Sequence, residues 1–472
     1  MRAVATVEQI RAAEQDWFDH HPGEDLMAVA AGQVATAAMG MLGTDSGRVL
    51  VVAGPGNNGG DGLFAARALA AAGHQVSLWF TSSRWHRAGR DAALTAGCTE
   101  VSAVEAIAGL DRTHLVIDAV LGIGGRAGLR PAVAEFARAC SDLGTPVLAV
   151  DIPSGLAADS VGGPDDECFH ATRTITFGAL KLCHVAQPAA GHCGRVQCTD
   201  IGVRVRGAKT WMAERADVAQ RWPVPDALSD KYSRGVLGID TGSERYPGAG
   251  ILSTTGALYT GAGMLRFRGA RATAQIIAST MPSVTFGAGR VQAWVVGCGW
   301  GHGDAARLAA ALADDLPAVI DADAIGVLPE RLPEGCLLTP HAGELARLLG
   351  IERSEVTADP VSAARRAAQE NSTVVLLKGA TQYVAEPDGQ VTIAVPGPSW
   401  TAQAGSGDCL AGICGTLLAA GLPARWAGVL GASVQALAAE AMPGPWPPDV
   451  LAHRLPGVIA GLVASAPSAS GE

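Results

Sequence analysis

The stretch Ala404-Gly405-Ser406-Gly407-Asp408-Cys409-Leu410-Ala411-Gly412 joins a glycine-rich turn to an apolar run that continues to Ala420. Gly405 and Gly407 open backbone angles closed to other residues. The run behind them is good helix sequence, so unpaired N–H groups should point at whatever sits above the turn, and an anion fits there. Asp408 would stand where a substrate hydroxyl meets a terminal phosphate, able to accept the proton while the amides hold the developing charge. A simpler role is also open, in which Ser406 or Asp408 only caps a helix that Gly421 and Pro423 end.

The chain around this stretch has 472 residues, which suggests two or three domains, and a hydrophobic fraction of 48% supports real cores. A formal charge of -10 argues against nucleic acid as a partner. Phosphate chemistry must therefore rely on backbone amides. The opening MRAVATVEQIRAAEQDW carries charges where a signal peptide needs an apolar core, and no apolar run of about 18 residues follows. A cytoplasmic protein with no membrane partner is expected. The ten cysteines contain no C-x-x-C pair, so no disulfide framework or zinc knuckle is indicated. Only Cys183, His184, His192, Cys193 and Cys198 invite a metal site; their spacing fits no common zinc pattern, and buried thiols are the simpler explanation.

Apolar periodicity over residues 6–42, split by Pro22-Gly23, predicts two covering helices. Residues 49–53 read as a strand, 54–62 (GPGNNGGDG) as a glycine-rich turn, and 63–72 as a helix. The turn satisfies G-x-G-x-x-G, but no acidic residue follows at 76–83 to hold a ribose, so an ordinary dehydrogenase fingerprint is doubtful. Its two asparagines and aspartate point instead to a phosphorylated ligand or a hard cation. A strand over 114–117 ends in Asp118 and the loop Gly122-Ile123-Gly124-Gly125-Arg126-Ala127-Gly128, and one over 146–150 ends in Asp151-Ile152-Pro153-Ser154. All three polar clusters sit at the carboxyl ends of strands, where open parallel sheets bind ligands.

GPGNNGGDG, IDAVLGIGGRAG, AVDIPSGL and TFGALKLCHVAQPAAG, in this order, resemble the NAD(P)H-hydrate epimerase family, the YjeF N-terminal domain, over roughly residues 5–205. The resemblance implies a Rossmann-like three-layer αβα domain in which Asn58, Asp118 and Ser154 bind K+. It also implies that Asn57, Asn58, Gly59, Gly60, Asp61, the loop 122–128 and Asp151 surround the hydrated nicotinamide nucleotide. Asp151 is the candidate acid/base and Lys181 a weaker one. The family usually has threonine where this chain has Ile123.

Residues 208–227 lapse into charges, prolines and tryptophans and suggest a linker. A second α/β series follows, with strands expected at 236–240, 275–278, 291–296, 318–320, 337–338 and 374–377. It is no copy of the first half, so the chain reads as a fusion. The only lysines are Lys181, Lys209, Lys231 and Lys378, none after a glycine, which excludes a Walker A loop.

KYSRG at 231–235, Gly248-Ala249, DADA at 321–324, LTPHAGE at 338–344, LKGAT at 377–381 and the opening stretch together resemble the ADP-dependent NAD(P)H-hydrate dehydratase family, within the ribokinase-like fold, over about 225–465. Carried over, Ala249, Gly299 and His341 line the hydrated nucleotide, while Lys378, Gly379, Ala380, Thr381 and Gly407 hold ADP. Asp408 meets the hydroxyl under attack, and Mg2+ is expected with the nucleotide. The family's Gly-Pro-Gly-Leu-Gly stands here as Gly297-Cys298-Gly299-Trp300-Gly301.

The expectation is an α/β chain with an epimerase domain at 1–208, a linker at 209–225, a ribokinase-like αβα dehydratase domain at 226–466 and a tail at 467–472. It would act on NADHX and NADPHX with ADP, and assemble as a homo-oligomer. The alternatives are a ribokinase-type small-molecule kinase fused to a nucleotide-binding domain, or a binding protein whose first half has lost catalysis.

Overall fold

The computed structural model describes residues 1–43, 46–163 and 167–465; the expected tail lies outside them. The chain divides into two compact units, residues 2–208 and the residues from 209 onward. Among the described residues no helix is long and apolar enough to cross a membrane.

In the first unit seven parallel strands run in the order Thr99–Glu100, Gln75–Phe80, Arg48–Ala53, Leu115–Ala119, Val147–Val150, Arg173–Phe177 and Arg195–Thr199. The central three are buried along almost their whole length, as a sheet covered on both faces requires. The order reverses between Arg48–Ala53 and Leu115–Ala119, and the crevice beyond their carboxyl ends is where such sheets take ligands. The covering helices Val7–His20 and Leu26–Leu42 form as expected, capped by Thr6 and Asp25. The helix after the first glycine-rich segment does not begin at residue 63: it spans Asn57–Ala71, with Gly56 as its N-cap. Its glycines are there because it lies almost on the turn. A Cβ on Gly59 would stand 2.1 Å from the Gly54 carbonyl oxygen, and one on Gly62 2.5 Å from Ala119 Cβ.

The second unit's sheet runs Thr210–Met212, Val391–Ile393, Tyr383–Ala385, Val374–Leu377, Leu337–Leu338, Ala318–Ile320, Ala293–Val296, Val236–Asp240, Met264–Phe267 and Val284–Phe286. All neighbours are parallel except the two pairings made by Tyr383–Ala385. Two expectations need correction. Residues 275–278 are not a strand but lie in the helix Arg271–Thr280, whose Thr273 and Ile277, one turn apart, face the core. The supposed linker 209–225 is folded into this unit: Thr210–Met212 joins the sheet beside Val391–Ile393, the helix Arg215–Arg221 follows, and Trp222 packs into the core. Tryptophan burial, not the local prolines, decided its fate.

The helix Ser406–Ala419 is buried along its length and crosses Pro247–Thr260 at two glycines. A Cβ on Gly412 would meet Ser253 O at 2.0 Å, and one on Gly256 would meet Cys409 O at 2.2 Å. Backbone cannot yield as a flexible side chain would, so Gly412→Ala is expected to cost about 1–3 kcal/mol. Chemical denaturation checks this; an unchanged midpoint would contradict the close crossing.

Candidate active sites

In the second unit the candidate site gathers at the carboxyl ends of three strands, two of them flanking Leu337–Leu338. Asp321 follows Ala318–Ile320, Cys298 follows Ala293–Val296 and Lys378 follows Val374–Leu377. Facing them, Gly405 at φ 91° starts the helix Ser406–Ala419 and brings Asp408 into its first turn. Lys378 Nζ donates to Asp321 Oδ1 at 2.6 Å and lies 3.2 Å from where a Cβ on Gly407 would stand. The Cys298 thiol donates to Asp321 Oδ2 at 3.4 Å, and one ligand atom from each of Cys298, Asp321 and Asp408 falls within 4.8 Å of the others. Burial, and then the Asp321 charge, push the Asp408 carboxyl up to about 6, against the pull of Lys378 and a Cys298 hydrogen bond. Lys378 is raised too, but against its burial: burial alone would depress it, and Asp321 and Glu344 outweigh that, so it stays a fixed cation.

Both departures in the Gly297–Gly301 segment are built into this arrangement. Cys298 is fully buried against the two carboxylates, and Trp300 Nε1 donates to the Asp240 carbonyl at 2.9 Å while the Arg307 guanidinium lies over its ring. Gly299, at φ 64°, is pressed so close to Ala249 that a Cβ would come within 2.4 Å of Ala249 Cβ. His341 caps the helix Ala342–Leu349, its Nδ1 accepting from Gly343 N at 3.0 Å and Glu344 N at 3.1 Å. Its backbone pairs with Lys378, which places the exposed imidazole at the rim. Gly379 and Ala380 are exposed beside it and Thr381 is half-buried. Asp321 was visible only as part of a motif; its direct partnership with Lys378, 57 residues away, was not legible.

In the first unit Asp151, at φ 68° just past Val147–Val150, is the hub. Lys181, 1% exposed, donates from Nζ to Asp151 Oδ1 and to Thr176 Oγ1, both at 2.6 Å, and Thr176 Oγ1 donates to the same Asp151 oxygen at 3.0 Å. The Ile123 amide donates to Asp151 Oδ2 at 3.0 Å. Lys181 N donates to His184 Nδ1 at 3.1 Å, which leaves the ring proton on Nε2 to bond the Asp151 carbonyl at 2.9 Å. Burial and then the Lys181 charge hold that imidazole neutral, with a pKa of about 3. Burial would raise the Asp151 carboxyl, but the charge and hydrogen bond of Lys181 outweigh it and keep the group low. Asp61 ends up the opposite: burial, then Asp151 and Glu14, push it up to about 8. Two carboxyls sharing one crevice thus carry unlike protonation at neutral pH.

Beside this hub Asp118 is fully buried, accepting from Ser154 N at 2.7 Å, Ser154 Oγ at 2.6 Å and Val120 N at 3.3 Å. Burial still pushes it up to about 6, and no basic side chain pairs with it among the described residues. Asn58 Nδ2 is buried without a partner, and its Oδ1 lies 3.0 Å from where a Cβ on Gly122 would stand. Asn57, Gly59 and Gly60 fill the first turns of the adjoining helix. In the second loop Gly124, Arg126, Ala127 and Gly128 are exposed, and Gly125 closes a turn onto Gly122 O at 2.7 Å. Ile123 uses only its amide; its side chain packs against apolar neighbours, so the missing threonine hydroxyl leaves no buried gap. Sequence reasoning gave Thr176 no role here, took His184 only as a metal candidate and passed over the helix residue Arg11, whose Nη2 reaches to 3.5 Å from a Cβ position on Gly124. The metal set considered at 183–198 does not form: His184 serves Asp151, while Cys183 and Cys193 are buried thiols, Cys193 donating to Cys183 O at 3.4 Å.

Residues 23–183 match the family model for the YjeF-related protein N-terminus, and residues 237–459 match the one for NAD(P)H-hydrate dehydratase. The bifunctional NAD(P)H-hydrate repair enzyme Nnr of Mycobacterium tuberculosis is 42% identical over 90% of this chain and 90% of its own. The chain belongs to the bifunctional NAD(P)H-hydrate repair enzymes. The Mycobacterium leprae member is 40% identical over 96% of this chain and 98% of its own. The ribokinase-like fold of the second unit is shared with an ADP/ATP-dependent NAD(P)H-hydrate dehydratase from Bacillus subtilis, which matches 54% of this chain and 100% of its own with a TM-score of 0.50 at 24% identity. Membership of this family makes the chain an enzyme with an epimerase half and a dehydratase half.

Proposed function

We propose that this chain restores NADH and NADPH that have gained water across a nicotinamide double bond: its first unit interconverts the R and S hydrates, and its second dehydrates the S form with ADP. The observation that carries the second activity is the Asp408 carboxyl, poised at about 6, in the first turn of a helix whose Gly407 lies against the Lys378 ammonium. Asp408 accepts the hydroxyl proton as its oxygen bonds the terminal phosphorus of ADP and AMP leaves. Lys378 and the helix amides take the charge on the transferred group. The ring nitrogen's electron pair then expels phosphate, and loss of a proton from the adjacent carbon restores the double bond. Ala249, Gly299 and His341 line the hydrated nicotinamide side, and 378–381 with Gly407 the adenine nucleotide side.

In the first unit Asp151 is the base and Asp61, held protonated, the acid at the hydrated carbon. Lys181 fixes the charge and aim of Asp151. A buried carboxylate at Asp118 with no cation beside it, next to the orphaned amide of Asn58 and to Ser154, suits a potassium ion. The ion would supply fixed positive charge near the nucleotide. On the dehydratase side Asp321 is already paired with Lys378 and Cys298 is a poor magnesium ligand, so magnesium would enter mainly on the nucleotide phosphates; the Bacillus subtilis enzyme was co-crystallised with ATP and magnesium.

Incubation with hydrated NADH and ADP should produce the near-ultraviolet absorbance of reduced nicotinamide with stoichiometric AMP. Phosphorylation of a sugar or vitamin without that absorbance would replace this reading with a kinase. Ser154→Ala should raise the potassium concentration giving half-maximal epimerisation roughly 10-fold or more, and an unchanged requirement would move the ion elsewhere.

A further inference from the structure

We infer that Cys168, His170 and His192 form a zinc(II) site on the first unit, separate from the Asp151 network. Their Sγ and ring-nitrogen atoms lie within 4.8 Å of one another. His192 Nδ1 and His170 Nε2 are 3.2 Å apart, with the rings nearly perpendicular at 86°. Two Zn–N bonds of about 2.05 Å in a tetrahedron imply a nitrogen–nitrogen edge of about 3.3 Å. The Cys168 thiol adds a third ligand atom to the same cluster, and its sulfur and the two ring nitrogens are the donor set that zinc takes.

The scaffold holds both sides of the cluster firmly. Between the two ligands of the first side, Phe169 is fully buried against Phe136 and its amide donates to Ser154 O at 3.0 Å. Gly155, at φ 100°, lets that segment approach: a Cβ there would stand 2.3 Å from Glu167 O and 2.7 Å from Cys168 Cα. On the second side the His192 carbonyl accepts from Ala171 N at 2.8 Å, and Gly194, at φ 56°, admits the backbone of 171 and 172 where a Cβ would clash at 2.3 Å. Ligands set on backbone this constrained need little reordering to bind.

Cys168 is 7% exposed, His192 half-buried and His170 exposed. The site is therefore anchored from inside and open on the solvent side, leaving the fourth position to water. Binding takes the proton from the Cys168 thiol, so about one proton leaves per zinc at neutral pH. The bound ion would clamp 168–170 to the turn Ala189–His192, and through Phe169 it would steady the Ser154 carbonyl.

The test is titration of the chelator-treated full-length protein with Zn2+ against a fluorescent zinc indicator, paired with Co2+ substitution. One equivalent of zinc per chain is expected, with a thiolate-to-cobalt charge-transfer band that Cys168→Ser removes. His170→Ala and His192→Ala should each weaken zinc binding at least about 10-fold. Exposed His170 can be replaced without disturbing the core, which keeps the test decisive even where Cys168→Ser fails to fold. Zinc uptake equal to that of the His170→Ala/His192→Ala double variant, or a cobalt spectrum without the thiolate band, would overturn the site.

Discussion

Asp408→Asn should lower ADP-driven dehydration by about 10²–10⁴-fold, the range in which a positioned base contributes, while the epimerisation rate stays unchanged. The amide keeps the shape of the side chain but cannot take the hydroxyl proton. In the parent protein the same assignment requires dehydration to rise with pH through about 6, where the Asp408 carboxyl ionises. Stability should move the opposite way. A carboxyl whose folded pKa lies above its ordinary value binds more protons folded than unfolded, so its contribution falls as pH rises between about 4 and about 6. Asp408→Asn removes that burden along with its repulsion from Asp321, and its thermal midpoint at pH 7 should lie above the parent's. A variant that loses dehydration together with stability would mark Asp408 as a structural cap. Equal loss of both activities would contradict separate sites.

Lys181→Met should abolish epimerisation and weaken the first unit, leaving dehydration of a pure S hydrate in place. Lys181 and Asp151 are both buried and joined at 2.6 Å, so removing the ammonium strands a carboxylate that burial would otherwise push up. Breaking such a pair by removing one partner costs about 3–5 kcal/mol. Chiral separation of R and S hydrates over time measures the activity, and chemical denaturation measures the cost. Asp151→Asn should lose epimerisation likewise, since Ile123, Thr176 and Lys181 would then face an amide. An active Lys181→Met variant would mean that Asp151 needs no fixed charge beside it and would remove the pair from the reaction.

The places where structure and expectation part have a common cause. Glycines at 59, 60 and 62 read as a turn because glycine disfavours helix; the helix forms regardless, since only glycine lets it lie against Gly54 and Ala119. Residues 275–278 read as a strand because a short apolar run has no period of its own, and Ile277 settles the matter by burying one face of a helix. Residues 209–225 read as a linker until Trp222 finds the core. The metal set at 183–198 failed for a related reason: neighbours in sequence point to different places, and His192 instead meets Cys168 and His170 from across a turn.

Alone, the sequence determined the two α/β series, the strand ends that carry Asp118, Asp151 and Lys378, the helix start that carries Asp408, and the family, because short-range patterns of glycine, apolar runs and strand-terminal polar residues survive without contacts. Only the tertiary structure decided which charges meet: Lys181 with Asp151, Lys378 with Asp321, Cys298 between two carboxylates. The physical reason is that protonation and aim depend on burial and on partners tens of residues distant, and those exist only once the sheets have closed.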